Sequence, residues 1–261
     1  MTIRTDTIRK SGPLHWEPSE RWVRGTKGGT TVVDSRHPVL VWQPDLPVPC
    51  YTFPGSEVRT DLLRDARRPD TGAHCGATLF YDLHLDGAVT ENAAWTFPGE
   101  ELAGHISFEW FGREVLDHWY EEDEEIFVHP RDPHARVDPL PSSRHVRVEI
   151  DGVPVAETHR PVLLFETGLP VRYYIPREDV RFDLLTPTDH RTRCPYKGIA
   201  RYWSWSRGGP GLTDVAWTYP EPVVAAGAVR DLVCFYNEAV DLVVDGERLQ
   251  RPVTVFSDQR P

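Results

Sequence analysis

Gly29-Thr-Thr-Val-Val-Asp-Ser-Arg-His-Pro-Val-Leu-Val-Trp42 returns, largely by identity or like-for-like exchange, as Gly152-Val-Pro-Val-Ala-Glu-Thr-His-Arg-Pro-Val-Leu-Leu-Phe165, 123 residues further on. Val58-Arg-Thr-Asp-Leu-Leu63 matches Val180-Arg-Phe-Asp-Leu-Leu185, and Ala94-Trp-Thr-Phe-Pro98 matches Ala216-Trp-Thr-Tyr-Pro220, both at an offset of 122. Phe108 then pairs with Phe235 and Asp117 with Asp241 after a small insertion. An ordered series of matches in one register marks an internal duplication, which takes precedence over any element-by-element reading.

The boundaries expected are a tail over 1–19, a first domain over 20–128, a linker over 129–143 and a second domain over 144–256. The linker expectation rests on four prolines in 129–143, which hold backbone extended and remove hydrogen-bond donors. Within each copy the patterns are β. His145 to Gly152 alternates apolar and polar residues before a turn, and Val155–Phe165 and Asp231–Val244 are rich in β-branched and aromatic side chains. Helix is expected only as short turns at Phe111–Tyr120 and Val223–Arg230.

Composition agrees. Across 261 residues, 19 glycines and 24 prolines oppose a helical bundle, while nine Trp, nine Tyr and ten Phe supply core material and oppose disorder. A net charge of −11 opposes a phosphate backbone, so no nucleic-acid partner is expected. No apolar run reaches the roughly 18 residues of a membrane span, and the polar start has no apolar signal core, so a soluble cytoplasmic protein with no membrane partner is expected. Cys50, Cys75, Cys194 and Cys234 lie far apart without a CxxC pair and read as reduced thiols, with no metal site.

The run Arg160 to Leu185, with Cys194-Pro-Tyr-Lys-Gly198, Ala216-Trp-Thr-Tyr-Pro220 and Val233-Cys-Phe-Tyr-Asn237, resembles the bacterial domain of unknown function 427. The Tyr120 to Glu125 segment resembles the joint of the actinobacterial form with two such domains in tandem. The resemblance implies a mainly β chain of two small homologous domains of Mss4-like, or β-tent, type, an architecture that hosts unlike activities. A nucleotidyltransferase label attached to the family finds no support in the residues: no Gly-Ser pair precedes an Asp-x-Asp motif and there is no P-loop. The cofactor stays unknown.

The densest chemistry lies in His190-Arg-Thr-Arg-Cys-Pro-Tyr-Lys-Gly198 and the aromatic strand after it. Lys197 at a turn is either a solvated lysine or a group that neutralises an anion; with its pKa lowered by burial it would form a Schiff base. At the 122-residue offset Gly72, His74 and Cys75 stand opposite Cys194, Tyr196 and Lys197, so the motif is lost from the first copy and is not obligatory for the scaffold. Lys197, Cys194 and Tyr196 are therefore the expected catalytic residues, with Tyr174, Arg177, His190, Arg193, Tyr202 and Asn237 expected to bind ligand. Asn237 and Glu238 replace Trp110 and Phe111 of the first copy, either as a pocket marker or as a strand-end turn. Glu121 to Glu125 is expected to be a solvated acidic face, and Trp95 and Trp217, kept in both copies, are expected to pack.

The functional expectation is a small anionic or carbonyl-bearing metabolite bound in the second domain, with enzyme activity left open. A protein-interaction module and cysteine chemistry at Cys194 are the alternatives.

Overall fold

In the computed structural model, which describes residues 13–44, 46–70, 74, 77–111, 113–209, 212–254 and 256–257, the chain divides into two compact units between Asp132 and Pro133. The first holds β1 (His15–Pro18), β2 (Val23–Lys27), β3 (Thr30–Ser35), β4 (Val39–Trp42), β5 (Cys50–Pro54) and β6 (Leu63–Asp65). It continues with β7 (Leu79–Leu85), β8 (Ala88–Thr96), β9 (His105–Phe108), β10 (His118–Glu121) and β11 (Glu124–Ile126). The second holds β12 (Val137–Pro141), β13 (Val146–Ile150), β14 (Val153–Thr158), β15 (Val162–Glu166), β16 (Arg172–Ile175) and β17 (Leu185–Cys194). Its remaining strands are β18 (Gly198–Trp205), β19 (Ala216–Thr218), β20 (Val233–Phe235), β21 (Asp241–Val244) and β22 (Glu247–Arg248).

The duplication read in the sequence is a duplication of topology. The seven-stranded sheet runs β1-β4-β5-β9-β8-β7-β6 in the first unit and β12-β15-β16-β20-β19-β18-β17 in the second. The four-stranded sheets, β11-β10-β2-β3 and β22-β21-β13-β14, correspond equally. The pairing inside all four sheets is antiparallel, which suits short turns such as Asp151-Gly152, where φ of 51° and 73° gives the hairpin twist that ordinary turns lack.

Alternation along the strands divides each seven-stranded sheet into two faces. In the second unit Leu163, Tyr173, Ala216, Val233 and Phe235 pack with Val146, Val148 and Leu242 of the small sheet in the main core. Their neighbours Val162, Leu164, Tyr174, Trp217 and Cys234 form a separate cluster on the outer face, with Ala226 and Val229 of the 3-10 helix Val224–Val229. The first unit repeats this, with Val41, Cys50, Phe80, Trp95 and Phe97 on its outer face.

Three expectations are corrected. None of the described residues of Phe111–Tyr120 is helical; the end of the segment enters β10, where Trp119 faces the main core. The Pro-rich stretch 129–143 is not linker throughout, because Val137–Pro141 pairs with β15 as the edge strand of its sheet. Pro139 and Pro141 are tolerated there since an edge strand has one side free of ladder bonds. The N-terminal tail is likewise shorter than expected, since β1 pairs with β4.

Candidate functional site

The hairpin β17–β18 carries the motif that sequence reading singled out. Cys194 and Gly198 face each other at its end, and the Lys197 amide donates to the Cys194 carbonyl at 3.3 Å. Gly198 has φ +106°, and a Cβ there would lie 2.9 Å from the Glu221 carbonyl oxygen, so only glycine fits. The tight approach of Pro222 to Gly198 directs the Lys197 side chain over the outer face, where Nζ donates to Glu166 Oε2 at 2.5 Å. Both side chains are nearly buried, at 12% and 11% exposure. Burial pulls the Lys197 pKa down, but the Glu166 carboxylate outweighs it and the amine ends above its ordinary value. The condition for Schiff-base chemistry is reversed: at neutral pH Lys197 is an ammonium.

A second buried pair lies on the same face. Arg172 opens β16 and grips Glu238 through two bonds of 2.6 and 2.8 Å, with 5% and 1% of the side chains exposed. The guanidinium also stands 5.7 Å from the Trp217 ring centroid and 5.6 Å from that of Tyr236. Desolvation would raise the Glu238 carboxyl, yet the Arg172 bonds and charge hold it below its ordinary range.

Tyrosines occupy the space between. Trp217 Nε1 donates to the Tyr174 hydroxyl at 3.1 Å, and the Tyr202 hydroxyl lies 2.6 Å from Thr192 Oγ1. Burial, and then the mutual proximity of Tyr174, Cys194, Tyr202 and Glu166, pushes Tyr219 well above the ordinary phenol value; burial does the same to Tyr174. These phenols keep their protons and are hydrogen-bond donors.

The structure thus brings Lys197, Cys194, Tyr174 and Tyr202 to one face. His190 joins at the rim, exposed, with its ring 4.8 Å from that of Tyr202. Tyr196 is half-buried in the turn. Three expected residues stand elsewhere. Arg177 is exposed and lies over Phe182 and Trp203, which pack against the main core. Arg193 pairs with Ile199 and alternates with Cys194, which turns it to the other side of the hairpin. Asn237 ties its amide to the Val171 carbonyl at 2.8 Å and supports the β16 turn.

Sequence reading missed Glu166, Arg172 and Tyr219, and read Trp217 as packing alone. The signal was present in the repeat itself. Leu164 pairs with Arg172 as Val41 pairs with Cys50, so Arg172 stands where the first unit has Cys50, and Glu166 where it has Gln43. By the same registers Tyr174 replaces Thr52, Tyr202 replaces Phe80 and Cys234 replaces Ser107. The acidic run is also partly corrected: Glu121 is buried and accepts bonds from Arg21, Tyr51 and Arg131 at 3.2, 3.0 and 2.9 Å. Cys50, Cys194 and Cys234 are free thiols, and Cys75 lies outside the described residues. Burial pushes Cys234 up to about 12, an unreactive thiol. Among the described residues no His, Cys, Asp and Glu cluster could hold a metal ion, and no helix is long and apolar enough to cross a membrane.

No curated protein matches the chain significantly. A family described as a domain of unknown function (DUF427) matches residues 15–122 and again 138–246, one match per topological unit. The chain therefore belongs to the DUF427 family, as a tandem member with two copies of the domain.

Proposed function

We propose that the second unit binds a small molecule carrying a carboxylate or carbonyl group on the outer face of its seven-stranded sheet. The observation that carries this reading is the pair of buried ion pairs, Lys197–Glu166 and Arg172–Glu238, on a face that the first unit builds with Gln43 and Cys50 in the same strand positions. A buried ion pair is at best about as stabilising as apolar side chains of the same volume. The fold does without these groups once per chain, so their presence points to a ligand.

The chemistry is that of a donor-rich site. Lys197 remains an ammonium with N–H bonds beyond the one given to Glu166, and Tyr174 accepts from Trp217 and keeps its own proton to donate. An acceptor group of the ligand shares the ammonium with Glu166, and Tyr202 and His190 form the rim. Binding, rather than Schiff-base chemistry, suits an amine that stays protonated.

The test is a thermal-shift screen of carboxylate and carbonyl metabolites against the wild type, Lys197→Met and the paired variant Lys197→Met/Glu166→Gln. A ligand at 100 times its Kd stabilises by about 2.7 kcal/mol, which moves the Tm by several degrees. The reading expects such shifts in the wild type and their loss in both variants; equal shifts in all three proteins would remove Lys197 as the anchor.

A further inference from the structure

Trp217 of the second unit has a protein partner for its indole N–H, the Tyr174 hydroxyl at 3.1 Å. The first unit keeps the tryptophan and lacks the phenol. Trp95 pairs with Ser107 as Trp217 pairs with Cys234, and Thr52 pairs with Ser107 as Tyr174 pairs with Cys234. A threonine therefore stands in the tyrosine's place. Trp95 is 2% exposed and its Nε1 has no partner within the protein, and the same holds for Trp110, which is 4% exposed. Buried polar atoms are bonded in the great majority of native cases, and an indole N–H can only donate, so each of these two groups requires an acceptor.

Both tryptophans line one small recess with Glu109, Cys50, Phe108 and Phe111. It has room for about one water in all, which excludes a metabolite by size. Chemistry then separates the occupants that do fit. An ammonium has no lone pair to offer an indole. A halide would accept from both indoles, but it would stand against the Glu109 carboxylate, and no Lys or Arg is among the described lining residues to offset the repulsion. Water accepts two hydrogen bonds and donates two. Glu109 lies 3.0 Å from His74 Nε2 through Oε2, and the lone pairs of a carboxylate leave it further capacity to accept.

We infer that this recess is the binding site of a single ordered water, which accepts from the Trp95 and Trp110 indoles and donates to Glu109. The water does for Trp95 what the Tyr174 hydroxyl does for Trp217, so the tryptophan is kept in both units while its acceptor is a side chain in one and solvent in the other. The inference is independent of the ligand site on the second unit.

The experiment is a crystal structure of the full chain, grown without ammonium salts and at a resolution that shows ordered solvent, with a second crystal soaked in bromide. Expected is one solvent peak in the recess, within about 2.7–3.2 Å of Trp95 Nε1, Trp110 Nε1 and a Glu109 carboxylate oxygen, and no anomalous bromide signal there. A recess without such a peak, a peak that misses any of the three groups, or a side chain occupying the place would overturn the inference. An anomalous peak at that position would overturn it as well, by assigning the site to an anion.

Discussion

Arg172 and Glu238 are separated by most of a domain in sequence and meet with almost no exposure, so each depends on the other to offset desolvation. Arg172→Met leaves a buried carboxylate alone and is expected to lower the unfolding free energy by about 3–5 kcal/mol, measured by urea denaturation. Arg172→Met/Glu238→Gln should recover most of it. Because the Glu238 carboxyl is held below its ordinary value of 4.5, the pair's contribution is complete above that pH and is lost as pH falls through the lowered folded-state pKa. The stability gap between wild type and the double variant should therefore narrow on acidification below about pH 4.5; a gap that widens would contradict the assignment. Lys197 has the opposite sign, with a raised pKa whose contribution persists through neutral pH and fades only above its ordinary 10.5. Treatment with an aldehyde and cyanoborohydride at pH 7 should thus label Lys197 no faster than Lys27. At this scale the sequence showed the carriers of unusual chemistry when they were neighbours, as in Cys194 to Gly198. It hid Glu166 and Arg172 because their significance is a partner supplied by another strand, and charge in a strand end looks like an ordinary turn.

The β17–β18 hairpin holds the candidate site in place through one backbone position. Gly198→Ala meets both a φ of +106° and the Glu221 backbone at 2.9 Å, whereas Gly152→Ala, at φ +73°, meets nothing within 4 Å. The first substitution is expected to cost more than the second, which carries only the left-handed penalty of about 1–2 kcal/mol; equilibrium denaturation of the two variants checks the order. Strands were the readable elements because alternation and β-branched content fix their faces, as in Val146 to Ile150. Edge strands were not. β12 contains two prolines in five residues, a composition that signals a linker unless the free side of an edge tolerates the missing donors. The absent helix at Phe111–Tyr120 has a similar origin: Trp119 and its neighbours carry apolar content without enough length to distinguish the two periods.

Across the whole molecule, the duplication was legible for all but the first strand of each unit, because the strands recur in one order while β1 and β12 fell in the expected tail and linker, and each unit has its own two-layer core. That repetition is an internal control: whatever both copies keep belongs to the fold, and whatever one copy alone has is available for function. Trp95 and Trp217 fall in the first class and Lys197, Glu166 and Arg172 in the second. What could not be read was that divergence produced two differently furnished faces, charged and paired in the second unit, aromatic and incompletely paired in the first. The most direct measurement replaces Glu166 and Lys197 by the first unit's residues, Glu166→Gln/Lys197→Cys, and runs the carboxylate and carbonyl thermal-shift screen beside the wild type. The account predicts a folded variant with unchanged β circular dichroism that has lost the ligand-induced shifts. A variant that no longer folds, or one that responds to the same compounds as the wild type, would contradict it.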